Sequence, residues 1–254
     1  MTAIIIDNLH VAYGRQPVLT GVTTTIPKGK LTAILGENGC GKSTLLNTLC
    51  LLNSINNGYV DLFGNPLSSY DHRELSQTIS LVGQHTDTLP ITVFDYILMG
   101  RTPHRALFSI HDTPEDRKIT SKLIARLHLE GIKDKTLATI SGGERQLASI
   151  ARAIAQDTPI MLLDEPTANL DIRHQEEIMR LLQQEVAQGK TVVVVMHDIN
   201  LAARYAEYVI MLKEGIVFKD GNAKDILNSQ YLSELYQINF TKISDNNNSI
   251  FIPI

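Results

Sequence analysis

Leu31-Thr32-Ala33-Ile34-Leu35-Gly36-Glu37-Asn38-Gly39-Cys40-Gly41-Lys42-Ser43-Thr44-Leu45-Leu46 is the stretch from which the fold is read. Its apolar opening predicts a strand over 31–35, its glycine-rich middle a tight turn, and its end a helix starting near Lys42. Residues 36–43 fit the P-loop pattern in full. Glycines let consecutive backbone amides turn toward phosphate oxygens, and the helix behind adds its positive end. Lys42 reaches the β- and γ-phosphates of a nucleotide, and the Ser43 hydroxyl is a ligand for Mg²⁺. The bland alternative, a chance glycine-rich strand–helix turn, is disfavoured by the apolar run before it and Leu45-Leu46 after it.

Working outward, Ile160–Leu163 is apolar throughout and predicts a central strand covered on both faces. Asp164 and Glu165 follow at its tip, where one carboxylate can serve Mg²⁺ and the next can polarise an attacking water. Thr191–Met196 is β-branched and reads as another strand, ending at His197, with Asp198 capping a helix through Tyr205. Ile79–Gly83 is strand-like and closes on Gln84. Short strands alternating with amphipathic helices predict an α/β fold with a largely parallel sheet. From about Gln84 to Asp157 the period becomes helical. Thr113-Pro114-Glu115-Asp116 predicts a capped helix start, followed by an apolar stripe of Ile119, Leu123 and Leu127. A second helix is expected from Ser141 to Ala155, burying Leu147, Ile150, Ala151 and Ile154. Near the end, Asp245–Ser249 reads as a polar turn in a small terminal hairpin.

Ile140-Ser141-Gly142-Gly143-Glu144-Arg145-Gln146 is physically a second phosphate-binding helix start, with a hydroxyl and two glycines exposing the first amides. One nucleotide held by the P-loop has no need of it in the same chain. It makes sense if it serves a nucleotide held by another copy.

The bulk numbers bound the partners. The 254 residues are 43% hydrophobic, enough for a sizeable core, and 23 basic against 27 acidic residues give no electrostatic reason to expect nucleic acid. Cys40 and Cys50 provide neither a disulfide framework nor metal-ligand spacing, so a reducing compartment is expected. No secretory signal or membrane-length apolar run is visible, so a soluble chain is expected, reaching any membrane through a partner.

The ordered set of P-loop 36–44, Gln84, Ser141-Gly142-Gly143-Glu144, Asp164-Glu165, Ala168-Asn169-Leu170-Asp171 and His197 resembles the ATP-binding-cassette (ABC) ATPases over essentially the whole chain. The resemblance implies an α/β fold: a P-loop NTPase (RecA-like) core with a mixed β-sheet subdomain and an inserted α-helical signature subdomain. It implies one domain over 1–254, with 1–84 and 158–254 as the α/β core and 85–157 as the helical part.

It also implies a head-to-tail homodimer sandwiching two Mg·ATP, each between one P-loop and the other copy's signature. Tyr13 would stack on adenine. Gly36, Glu37, Asn38, Gly39, Cys40, Gly41, Lys42, Ser43 and Thr44 would cradle the phosphates, with Ser43 and Asp164 around Mg²⁺, and Gln84 would contact Mg²⁺ or the attacking water and relay nucleotide state to a partner. Glu165 would be the general base and His197 would hold the γ-phosphate and water. Ser141, Gly142, Gly143 and Glu144 would complete the site, and Asp171 would lie at the seam. Ile140 and Glu144 depart from the family's usual Leu and Gln but spare Ser-Gly-Gly. Cys40 raises the question of oxidation sensitivity.

The run Val93–His104 resembles importers of iron–siderophore, haem and cobalamin type. That implies an integral membrane permease dimer at the cytoplasmic face of the inner membrane and, indirectly, a substrate-binding protein. A soluble ABC ATPase of cofactor assembly and an exporter subunit are the rival readings.

Overall fold

The computed structural model describes residues 1–84, 89–105, 111–245 and 248–254, with backbone alone at 244, 245 and 248. Two long antiparallel strands, β1 (Thr2–Tyr13) and β2 (Gln16–Pro27), open the chain. β3 (Leu31–Leu35) runs through the glycine turn into α1 (Lys42–Leu49). β4 (Asn57–Leu62) and β5 (Asn65–Pro66) then return to β1, completing an antiparallel sheet in the order β2-β1-β4-β5. After α2 (His72–Thr78) and β6 (Ile79–Val82) come three helices, α3 (Val93–Leu98), α4 (Pro114–Arg126) and α5 (Gly142–Ala155). The chain continues as β7 (Ile160–Asp164), α6 (Ile172–Ala187), β8 (Thr191–Val195), α7 (Ile199–Tyr205), β9 (Tyr208–Lys213) and β10 (Ile216–Asn222). α8 (Ala223–Ile226), α9 (Ser229–Tyr236) and a hairpin of β11 (Phe240–Asp245) with β12 (Asn248–Pro253) end it. The expected terminal hairpin is present, and 246–247 lie outside the described residues.

The larger sheet has the order β10-β9-β3-β8-β7-β6, parallel except for the β9/β10 pair. Its central strands are buried on both faces, and their period-2 alternation divides two cores. Leu31, Ala33, Leu35, Met161, Leu163, Val192, Val194, Val209 and Met211 face the helices on one side. Ile34, Ile160, Leu162, Val193, Val195, Ile210 and Leu212 face α1 and the antiparallel sheet on the other. Leu147, Ile150, Ala151 and Ile154 of α5 belong to the first of these cores, so the helical stretch and the sheet share one apolar interior.

Helix starts follow the sequence closely. Thr113 and Ser141 each close a reciprocal capping box, with Asp116 and Glu144 respectively. The stripe on α4 differs from expectation at one position. Ile119 is only half-buried, and the inward face carries Asp116, Thr120, Leu123 and Ile124, with Leu127 buried at the cap. The helix is turned because Asp116 is needed inside, where it accepts a hydrogen bond from Arg101 Nε at 3.1 Å. Burial works against its ionisation, but bonds from Thr113 and Arg101 prevail and hold its carboxyl below the ordinary range.

Met99–His104 forms a short 3₁₀ segment after α3. Arg101 donates from its guanidinium to Ala155 O at 2.7 Å, and His104 Nε2 lies 2.7 Å from Gln156 O. Both satisfy carbonyls that the end of α5 leaves without helical partners. Gly100 packs so closely that a Cβ there would lie 2.2 Å from Arg152 O. Gly100→Ala is therefore expected to push this segment off α5 and lower stability by about 1–3 kcal/mol in chemical denaturation.

Candidate active site

The P-loop glycines are fixed partly by neighbours within the chain. A Cβ on Gly36 would lie 2.2 Å from Leu212 O, and one on Gly41, at φ +105°, 2.6 Å from Leu19 Cδ2. The loop is thus pressed between β9 and the strand β2. Lys42 is buried and folds back along the loop, donating to Gly36 O at 2.9 Å and Glu37 O at 2.8 Å. Its ammonium is thereby held beside the N-terminus of α1, a position suited to anionic oxygens. Cys40 is buried beneath the loop, and that burial raises its thiol pKa, which disfavours the reactive thiolate.

Strand parity brings the carboxylates to this loop. Asp164 is the last residue of β7 and continues the Ile160–Leu162 face, the one packed against α1. Burial raises its pKa, with the Glu165 charge adding, while a hydrogen bond from Ser43 and the charge of Lys42 pull it down. Among the described residues its buried Oδ1 has no hydrogen-bond partner. Glu165 then leaves the strand with φ +50°, a left-handed conformation that costs an L-residue about 1–2 kcal/mol. Its N–H donates to Val195 O at 3.1 Å, fixing the turn. The result is a carboxylate held at both oxygens: Gln84 Nε2 donates to Oε2 at 3.0 Å, and His197 Nε2 lies 2.6 Å from Oε1. Val18, Asn38, Gly39, Gly41, Lys42, Ser43, Thr44, Gln84 and Glu165 together line a cavity of about 280 Å³. Tyr13, which a core reading would bury, ends β1 with 53% of its surface exposed, its hydroxyl 3.5 Å from Thr44 Oγ1.

The second half-site stands apart. Among the described residues no hydrogen bond joins Ser141, Gly142, Gly143, Glu144 or Asp171 to the P-loop. Ser141 Oγ donates to Glu144 Oε2 at 2.7 Å, and bonds from Ser141 hold the Glu144 carboxyl below its ordinary range. Arg145 fastens the approach by donating to Leu137 O and Ile140 O, each at 3.0 Å. The two glycines are there for different reasons. A Cβ on Gly142 would meet nothing within 4 Å, whereas one on Gly143 would lie 3.2 Å from His174 Cδ2. His174 is itself tied to Asp171, the cap of α6, with Nδ1 2.8 Å from Oδ2.

The family model described as ABC transporter matches residues 19–168. The chain belongs to the ABC transporter family. FepC, the ferric enterobactin transport ATP-binding protein of Escherichia coli (strain K12), is 39% identical over 94% of this chain and 89% of its own length. FhuC, the iron(3+)-hydroxamate import ATP-binding protein of Bacillus subtilis (strain 168), is 35% identical over 96% and 91%. HmuV, the hemin import ATP-binding protein of Streptomyces coelicolor, is 37% identical over 90% and 81%. Among solved structures, an ABC transporter in an inward-facing conformation, assigned to the metal-chelate type, matches at TM-score 0.86 and 29% identity, covering 100% of this chain and 98% of that one. The dimeric post-hydrolysis state of the ATP-binding cassette MJ0796, bound to ADP and Pi, matches at 0.76 and 33%, over 87% and 98%.

This chain is accordingly an ATP-binding, ATP-hydrolysing subunit of an ABC transporter. Sequence reading of the cassette passed over three residues. Val18 lines the cavity, Asn53 donates to the Tyr13 hydroxyl, and His174 occupies the space over Gly143. None lies in a motif, and only the folded geometry singles them out.

Proposed function

We propose that the chain is one cassette over 1–254, working as a homodimer to drive uptake of an iron–siderophore or related metal chelate through a membrane permease. The observation that carries the dimer is the pair of half-sites in one chain, a P-loop with its carboxylates and a separate Ser141–Gly143 helix cap. The substrate class rests on the iron-chelate relatives matched over nine-tenths of this chain. The matching hemin importer favours haem as the second reading. In this reading the cassette sits peripherally at the cytoplasmic face of the cell membrane, and a substrate-binding protein delivers cargo to the permease. The core is drawn from 1–84 and 158–254, and the intervening stretch carries the signature.

The donor set suits Mg²⁺. Asp164 offers a buried carboxyl oxygen that has no hydrogen-bond partner among the described residues, Ser43 a hydroxyl, and Gln84 a side-chain carbonyl, all hard oxygens. When bound there, Mg²⁺ would supply charge neutralisation to the phosphate oxygens. The chain's own residues do the rest. Lys42 and the amides of 39–44 bind the phosphates, and Tyr13 presents a ring face to adenine. Glu165 takes a proton from the water whose oxygen attacks the γ-phosphorus as the bond to ADP breaks. His197 and Gln84 orient Glu165 and report the state of the γ-phosphate. Ser141, Gly142, Gly143 and Glu144 close over the ATP of the other copy, with Asp171 at the seam.

Glu165→Gln should keep ATP affinity, lower phosphate release at least about 100-fold, and yield an ATP-dependent dimer by size exclusion. Unimpaired turnover would discard Glu165 as the base. Adding Gly142→Asp puts an acid at a helix N-terminus, which suits the free chain but repels a triphosphate. The double variant should bind ATP as a monomer, and persistent dimerisation would remove Gly142 from the site. Met99 is 48% exposed, while Arg101 and His104 hold α5. In this reading the permease docks on the importer-like segment at Met99, so Met99→Ala should weaken chelate uptake in permease-containing liposomes with basal ATPase intact; normal uptake would place the permease contact elsewhere.

A further inference from the structure

We infer that Asn53 is a positioning residue for nucleotide binding, acting through Tyr13; this rests on the proposed stacking of Tyr13 against the base. Tyr13 closes β1 with about half of its surface in solvent, so packing holds its orientation only weakly. An exposed aromatic on a strand end samples several rotamers, and stacking requires one of them.

The polar end of the ring is where the chain intervenes. Asn53 Nδ2 donates to the Tyr13 hydroxyl at 3.0 Å. The same amide lies 3.4 Å from Thr44 O, in the first turn of the helix behind the P-loop. The tyrosine hydroxyl is also 3.5 Å from Thr44 Oγ1. One amide thus ties the ring to the helix whose N-terminus binds phosphate, setting the distance between the two ends of a nucleotide.

The backbone that carries Asn53 is fastened to the same strand. Ala12 N donates to Asn56 Oδ1 at 2.8 Å, and Asn56 N donates to His10 O at 2.9 Å. Leu51, with φ +55°, and the bond from Leu52 N to Asn47 O at 2.9 Å shape the exit from α1 toward this contact. The turn 51–56 is therefore a brace between α1 and the end of β1. The pre-set ring lowers the ordering cost of binding, which appears in affinity rather than in the chemical step.

The test is a double-mutant cycle on the full-length protein with ATP and Mg²⁺. Asn53→Leu keeps the volume and removes the donor; Tyr13→Phe keeps the ring and removes its hydroxyl. Each alone should raise KM for ATP by about 2–10-fold with kcat unchanged, and the double variant should be no worse than either single one. Inorganic tripolyphosphate, which has no base to stack, should inhibit all four proteins equally. Additive effects, a fall in kcat, or an equal loss of tripolyphosphate affinity would show that Asn53 merely supports the fold, and overturn the inference. Tyr13→Ala separates the two readings. If it leaves KM unchanged, Tyr13 does not stack and the underlying assignment fails. If it raises KM while Asn53→Leu does not, stacking stands and the brace alone is refuted.

Discussion

The arrangement depends on parallel pairing among β6, β7, β8 and β3. Parallel strands present all their carboxyl ends at one edge of the sheet, so the segments leaving those ends must meet there. After β3 comes the P-loop, after β7 Asp164 and Glu165, after β8 His197, and after β6 Gln84. These residues are 36 to 197 in number yet need no long-range device beyond the register Leu31↔Val192, Ile160↔Thr191 and Ile79↔Ile160. Burial on both faces enforces that register, because a one-residue slip would exchange the two apolar cores and turn Asp164 away from α1.

Much of this is legible in the chain itself. β3 has the predicted bounds, and β7 and β8 differ by a residue at one end. Runs such as Val192-Val193-Val194-Val195 leave no choice when both faces are covered. Helix starts at Thr113, Ser141 and Asp198 are legible because a capping side chain acts on amides two or three residues away. The rotation of α4 is not legible: Ile119 fits an apolar stripe, but the buried pair of Asp116 with Arg101 decides which way the helix faces. A partner 15 residues away leaves no periodic trace. The same holds for Asn53, whose role depends on a strand end forty positions earlier.

The candidate site is legible as chemistry more than as geometry. Its carboxylate, amide and imidazole are readable from motif and order, while the left-handed backbone at Glu165 is not. That conformation turns the side chain out of the strand's alternation, so that both its oxygens meet groups from the neighbouring strands. Gly143 shows how a motif can mislead about cause. Its missing side chain makes room for His174 of the same molecule, and Gly142 is the glycine that leaves open space.

The grip of Arg101 and His104 on the last carbonyls of α5 has a mechanical consequence. α5 has 14 residues, a stiff rod about 21 Å long whose other tip is Ser141. Because the hold is on the rod's foot, a thrust applied at Met99–His104 would be passed along the rod rather than absorbed locally. It would emerge at the Ser141 helix cap, so that in the proposed homodimer the lever would act on the neighbour's nucleotide before its own.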